Sequence, residues 1–186
     1  MDLHLKETLI KSDVVYDGNF LKVRSDTVSL PDGKHTTREY FRHPGAVVIL
    51  PLFDDGRVLL ERQFRYPLDQ VFIEFPAGKL EQGEDPLLCA QRELREETGY
   101  TATDWQFICT IHNAIAYSDE HLDIYLARGL SEGERALDDG EFLDIFTMPL
   151  DELMQSIRLG KVTDVKTIIG ACWLDKIQRG EWRSAD

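Results

Sequence analysis

A chain of 186 residues with 42% hydrophobic content is long enough to bury one real core. Its formal charge of -13 argues against a surface built for nucleic acid, which needs excess Lys and Arg to displace counterions. The longest apolar run, Ala46 to Phe53, is too short to span a bilayer, and the start MDLHLKET has no signal-peptide pattern, so no membrane partner is expected. Cys89, Cys109 and Cys172, odd in number and widely spaced, fit reduced thiols in a cytoplasm better than a disulfide framework.

From Val14 to Arg42, β-rich stretches are broken by Asp17-Gly18 and Pro31-Asp32-Gly33, which predicts two or three antiparallel strands. Residues 1–44 therefore read as an N-terminal antiparallel β-layer and residues 45–186 as the main domain, punctuated by His43-Pro44-Gly45. Ala46 to Phe53 and Arg57 to Phe64, joined by Asp54-Asp55-Gly56, read as a hairpin with a buried first strand. A short strand at Val71 to Phe75 leads into a loop over Pro76 to Gly83. Asp85-Pro86 then looks like an N-cap and first helical residue, with Gly99 placed to end that helix. Trp105 to His112, Leu122 to Ala127 and Phe142 to Thr147 read as strands, and Leu150 to Leu159 and Asp164 to Arg179 as amphipathic helices. Strands and helices interleave without strict alternation, so the expected class is α/β, a mixed sheet between helices.

On the helix opened by Pro86 each residue advances about 100°, so Glu93, Glu96 and Glu97 share one face while Leu87, Ala90 and Leu94 form an adjoining apolar stripe. Like charges at these spacings repel, a cost most easily removed by a bound cation. Acidic residues on a helix are more often a solvated face, but here they belong to a longer pattern. Gly78, five residues, Glu84, seven residues and then Arg92-Glu93-Leu94-Arg95-Glu96-Glu97-Thr98-Gly99-Tyr100 resembles the Nudix box at every defined position.

That resemblance implies the Nudix fold, in which Mg2+ or Mn2+ on the box glutamates holds a diphosphate for attack by water. It matches Glu93 and Glu97 to the principal metal ligands and Glu96 to a third carboxylate that ligates metal or orients metal-bound water. The carbonyl of Ala77 matches a backbone ligand, and Arg92 with Glu84 a salt bridge that orients the acids. Gly78 and Gly99 read as turn and helix-end glycines.

Outside the box, Arg38-Glu39-Tyr40-Phe41, Gly45-Ala46-Val47, Arg62-Gln63-Phe64-Arg65-Tyr66 and Glu74-Phe75-Pro76-Ala77-Gly78-Lys79 resemble the ADP-ribose pyrophosphatase branch. By that resemblance the β-rich start helps form a homodimer, Arg65 reaches substrate across it, and Phe20 stacks on the nucleobase. Arg38, Glu39, Lys79 and Glu120 are further substrate contacts. The acidic loop Asp138-Asp139-Gly140-Glu141 supplies a late metal ligand, Glu141, and a general base, Asp139; an acidic Asp-Gly turn is also ordinary loop chemistry. The stretch Asn113 to Tyr117 lacks the Ser-Pro-Gly-Gly often seen in the branch. The implied activity is hydrolysis of a nucleoside diphosphate sugar, ADP-ribose to AMP and ribose 5-phosphate. GDP-mannose or another nucleotide sugar is the nearest alternative, and a non-catalytic nucleotide-binding regulator a more distant one.

Overall fold

The computed structural model describes residues 2–137 and 139–182, and the chain divides into two units. The first runs to Pro44 and takes in His112–His121. It holds an antiparallel sheet in the order β1 (Thr8–Asp17), β2 (Lys22–Ser29) and β3 (His35–Arg42). Its first strand begins earlier than the sequence suggests, pairing from Thr8 with Ser29. Gly33, at φ +84°, supplies the left-handed residue that the turn between β2 and β3 requires.

The second unit spans Gly45–Ile111 and residues from Leu122 onward. Its four-stranded mixed sheet has the order β7 (Ala77–Lys79), β4 (Ala46–Pro51), β9 (Leu122–Glu132) and β8 (Tyr100–Ile111). A three-stranded antiparallel sheet has the order β10 (Leu143–Pro149), β5 (Arg57–Arg65) and β6 (Gln70–Glu74). Every residue of β4 is buried, as a strand covered on both faces requires. Val47 and Ile49 pack with Cys89, Ala90 and Leu94 of α1 (Pro86–Thr98). Val48 and Leu50 pack instead with Leu150 and Leu153 of α2 (Leu150–Arg158) and Ala171 and Leu174 of α3 (Val165–Gln178). The sheets thus lie between α1 and the α2–α3 pair. Each fully buried Ile or Leu contributes roughly 1.5–3 kcal/mol.

Two local expectations are corrected. β4 and β5 do not form a hairpin: they lie in different sheets, joined by a single bridge from Leu52 to Val58. Both edges of β4 are taken, by β7 antiparallel and by β9 parallel, and β5 is paired by β10 and β6. The stretch from Pro76 to Gly83 is not all loop either, because Ala77–Lys79 pairs with β4 as Val48 to Ala77 and Val47 to Gly78.

α1 is held at both ends by local chemistry. The Asp85 carboxylate accepts from the backbone N–H of Leu87 at 2.9 Å and Leu88 at 3.2 Å, satisfying two of the helix's orphan donors. Gly99 closes the other end at φ +79°, donating its N–H to Arg95 O at 2.8 Å. A Cβ there would stand 2.8 Å from Gly133 O. Gly99→Ala is therefore expected to destabilise the protein by about 2 kcal/mol or more, because the left-handed conformation alone costs roughly 1–2 kcal/mol and the neighbouring backbone carbonyl must also move. Urea unfolding measures it, and an unchanged midpoint would contradict this account of the helix end.

Candidate active site

The apolar face of α1 presses on β4 and leaves its acids facing β7. Glu93 lies directly over Gly78, where an added Cβ would fall 1.8 Å from Glu93 Cδ. Gly78 is therefore not a turn glycine as its sequence context suggests: it sits within β7, and the close approach of a carboxylate excludes any side chain there.

Arg92 organises the outer acids. Its Nε and Nη2 donate to Glu84 Oε1 and Oε2 at 2.9 and 3.1 Å, and its Nη1 to Glu93 Oε1 at 2.8 Å and Glu96 Oε2 at 3.1 Å. Glu84 Oε2 also accepts from the Glu81 N–H at 2.9 Å. With the Arg92 fork as the largest cause and that amide next, the Glu84 carboxyl is held down to about 2. The donors of Arg92 are thus spent on Glu84 and on the two neighbouring acids.

Behind this shell lie three buried acids, Glu61, Glu74 and Glu97. Glu97 Oε2 accepts from the Ala77 N–H at 3.2 Å. Burial pushes Glu97 well above the usual carboxylate range, and the charges of Glu61, Glu93 and Glu141 push it further. Glu61 is pushed up to about 8 by burial first and then by Glu74. Burial also raises Glu93, against the opposing charge of Arg92. Burial works to raise Glu74 as well, but Arg65 and Lys166 outweigh it and hold that carboxyl below its ordinary value. Arg65 Nε and Nη2 each donate at 2.7 Å to Glu74 Oε1 and Oε2, and Lys166 Nζ reaches Oε2.

Glu141 acts electrostatically on Glu61, Glu93 and Glu97. It lines a cleft of about 450 Å³ with Arg62, Phe64, Arg135 and Phe142. Asp139 is exposed in the preceding turn, and Asp138 lies outside the described residues. Lys79 is exposed on β7, while its carbonyl accepts from Cys89 Sγ and Arg92 Nη2. The other expected substrate contacts belong to the first unit. There Phe20 meets His43 edge-on at 6.0 Å, Arg38 forks onto Glu7, Glu39 is exposed in β3, and Glu120 accepts from Asn113 Nδ2 at 3.3 Å. Glu61 and Lys166 carry no expectation from the sequence. The one available signal for Glu61 is a charge directly after the buried run Val58-Leu59-Leu60.

A model of the NUDIX domain matches residues 42–167. The chain belongs to the Nudix family. Residues 7–41 match a second model, the nucleoside diphosphate sugar hydrolase N-terminal domain. Among curated relatives of this Nudix chain, a methanol dehydrogenase activator of Bacillus methanolicus is 39% identical, with 91% of this chain and 92% of the relative covered. An ADP-ribose pyrophosphatase of Bacillus subtilis is 38% identical over 88% of this chain and 89% of its own. A crystal structure of an ADP compounds hydrolase superposes with a TM-score of 0.86 over 96% of this chain and 97% of the other, at 23% identity, and shares the fold.

Nudix hydrolases depend on divalent metal, and the residues here fit one. The donors are all oxygen, as hard cations prefer, and Glu97 is repelled by Glu61, Glu93 and Glu141, while Glu141 also repels Glu61 and Glu93. No ready cage of three ligating side chains is formed among the described residues. Arg92 holds Glu93 and Glu96, and the Ala77 amide holds Glu97.

This electrostatics sets a pH dependence. Acids raised on folding bind more protons in the folded chain than in the unfolded one, so their contribution favours the fold below about 4.5 and is lost as pH rises toward about 8. Without divalent cations this site should destabilise the protein across that window, and added Mn2+ should restore more stability near pH 8 than near pH 5.5. Thermal unfolding with chelator and with Mn2+ checks it. Equal Mn2+-induced gains at both pH values would refute the raised acids, because ordinary carboxylates are already ionised at both.

Proposed function

We propose that this chain hydrolyses the diphosphate bond of a nucleoside diphosphate sugar, with ADP-ribose as substrate and AMP and ribose 5-phosphate as products, using Mg2+ or Mn2+. The observation that carries the reading is the constellation on α1 and β7: Glu93 and Glu97 face the Ala77–Gly78 backbone, and Arg92 is clamped to Glu84. The relatives named ADP-ribose pyrophosphatase support the substrate, and a GDP-mannose pyrophosphatase of Cronobacter sakazakii, 29% identical over 90% of this chain, marks the alternative.

In this reading Glu93, Glu97 and the Ala77 carbonyl hold the cation, with Glu96 and Glu141 as further ligands. When bound, the cation neutralises diphosphate charge and lowers the pKa of the attacking water. The chain's own groups do the rest. Arg92 keeps the acids oriented, Glu141 faces the cleft, and Asp139, Glu96 or Glu141 takes the water's proton as the P–O bond to the leaving phosphate breaks. Phe20, Arg38, Glu39, Arg65, Lys79 and Glu120 are the substrate contacts. A homodimer through the first sheet is part of the proposal, supported by Leu9, Ile10, Val14, Val15 and Tyr16, all exposed on β1. Three free cysteines fit a cytoplasmic setting. No helix of the described residues is long and apolar enough to cross a membrane.

Chromatography of products from ADP-ribose, ADP-glucose, GDP-mannose, NADH and dATP with Mg2+ should show AMP and ribose 5-phosphate formed fastest, from ADP-ribose. The reading fails if no nucleotide sugar in the panel is turned over. Glu141→Gln should lower kcat about 100-fold or more with KM little changed, within the range of about 10² to 10⁴ for general acid–base assistance. Single-turnover rates equal to the parent's would remove Glu141 from the machinery.

A further inference from the structure

Glu61 is the acid for which the roles above leave no account. It follows the buried residues Val58, Leu59 and Leu60 in β5 and is itself only 1% exposed. Its register partners are Glu74 on β6 and Ile145 on β10. Two acids directly opposite on an antiparallel pair repel, and only one of them is compensated by hydrogen bonds. Glu74 receives Arg65 and Lys166, whose other ion-pair contact is Asp164 at 3.1 Å. Glu61 Oε2 is buried with no hydrogen-bond partner among the described residues. Leaving a buried acceptor unmet costs about 1–3 kcal/mol, more if it is charged. An apolar side chain would continue the Val58–Leu60 run without that penalty.

Alternation along β5 places Glu61 on the same face as Leu59, which packs with Cys89, Ala90 and Leu94 of α1, while Val58 and Leu60 belong to the opposite core. The charge of Glu61 is the largest of those acting on Glu97, and Glu141 acts on both. The nearby guanidinium and ammonium groups are engaged elsewhere, Arg65 and Lys166 with Glu74 and Arg92 with Glu84, Glu93 and Glu96. Lys166 and Arg65 act on Glu61 through their charge alone, and its buried Oε2 has no donor among the described residues; a hard divalent ion has an appetite for such a carboxylate oxygen. Resting on the reading that the box acids hold a divalent cation, we infer that Glu61 supplies a further carboxylate oxygen to that cation, beside Glu97. The ion then draws ligands from β5 as well as from α1. Binding it should tie the three-stranded sheet to the box helix and stabilise the fold.

The test is a Mn2+ titration of the full chain without substrate, read by calorimetry and by electron paramagnetic resonance, on the parent, Glu61→Gln, Glu61→Leu and Glu97→Gln. Near-ultraviolet circular dichroism and the metal-free Tm confirm folding, and the apolar Glu61→Leu guards against a packing defect peculiar to the amide. Both Glu61 variants should bind Mn2+ about 10-fold more weakly or worse, judged against the 10–100-fold that even outer-shell partners contribute. Their Mn2+-induced rise in Tm should shrink, while the metal-free Tm holds or rises. If both bind as tightly as the parent while Glu97→Gln loses the ion, Glu61 is no ligand and the box reading stands without it. If Glu97→Gln also binds like the parent, the box reading fails and the inference falls with it.

Discussion

A carboxylate removed from water must be met by positive charge or hydrogen-bond donors, or it stays protonated. This protein buries Glu61, Glu74 and Glu97 within one unit, and much of its second unit is arranged around that constraint. Glu74 is answered from within the chain: Arg65 comes along β5 and Lys166 from the first turn of α3. The same region is tied by Thr167 Oγ1, which accepts from the Phe75 N–H at 2.9 Å, and by the Asp164 carboxylate, which caps α3 at the Thr167 amide, also at 2.9 Å. Balanced this way, Glu74 is a structural charge. Glu61 and Glu97 have no comparable partner, and the imbalance falls on the side facing the box helix.

The outer acids obey a different rule because they retain contact with water. Arg92 presents a planar fork of donors that Lys could not reproduce, and it reaches Glu84, Glu93 and Glu96 at once. Glu84, fixed by this fork and by the Glu81 amide, anchors the guanidinium. Hydrophobic packing of Cys89, Ala90 and Leu94 sets where α1 stands, and the charge network sets which way its acids point. Cys89 belongs to the packing: burial and then the Glu84 hydrogen bond push its thiol up to about 12, so it is inert as a nucleophile.

Close approach of backbone and carboxylate is the third element of the design. Gly78 leaves room for Glu93, and the neighbouring Ala77 amide reaches Glu97. Both contacts depend on β7 pairing with β4, the strand on which α1 packs. Three residues of β7 thus couple the sheet to the acids, which is why a segment too short to announce itself as a strand matters to the site.

By itself the sequence determined what depends on neighbours along the chain. The Asp85 cap, Pro86 and Gly99 bound the helix, and the spacing of Glu93, Glu96 and Glu97 places them on one face; these are local rules of helix geometry. The turn at Pro31-Asp32-Gly33 was legible for the same reason. Tertiary structure decided the pairing of β4 and β5, because strand partners compete over long separations and both edges of β4 were claimed by β7 and β9. It also decided the roles of Glu61, Glu74 and Lys166. A sequence displays a glutamate without its surroundings, and whether that acid is solvated, neutralised or left unmet depends on a lysine 92 positions away folding against it.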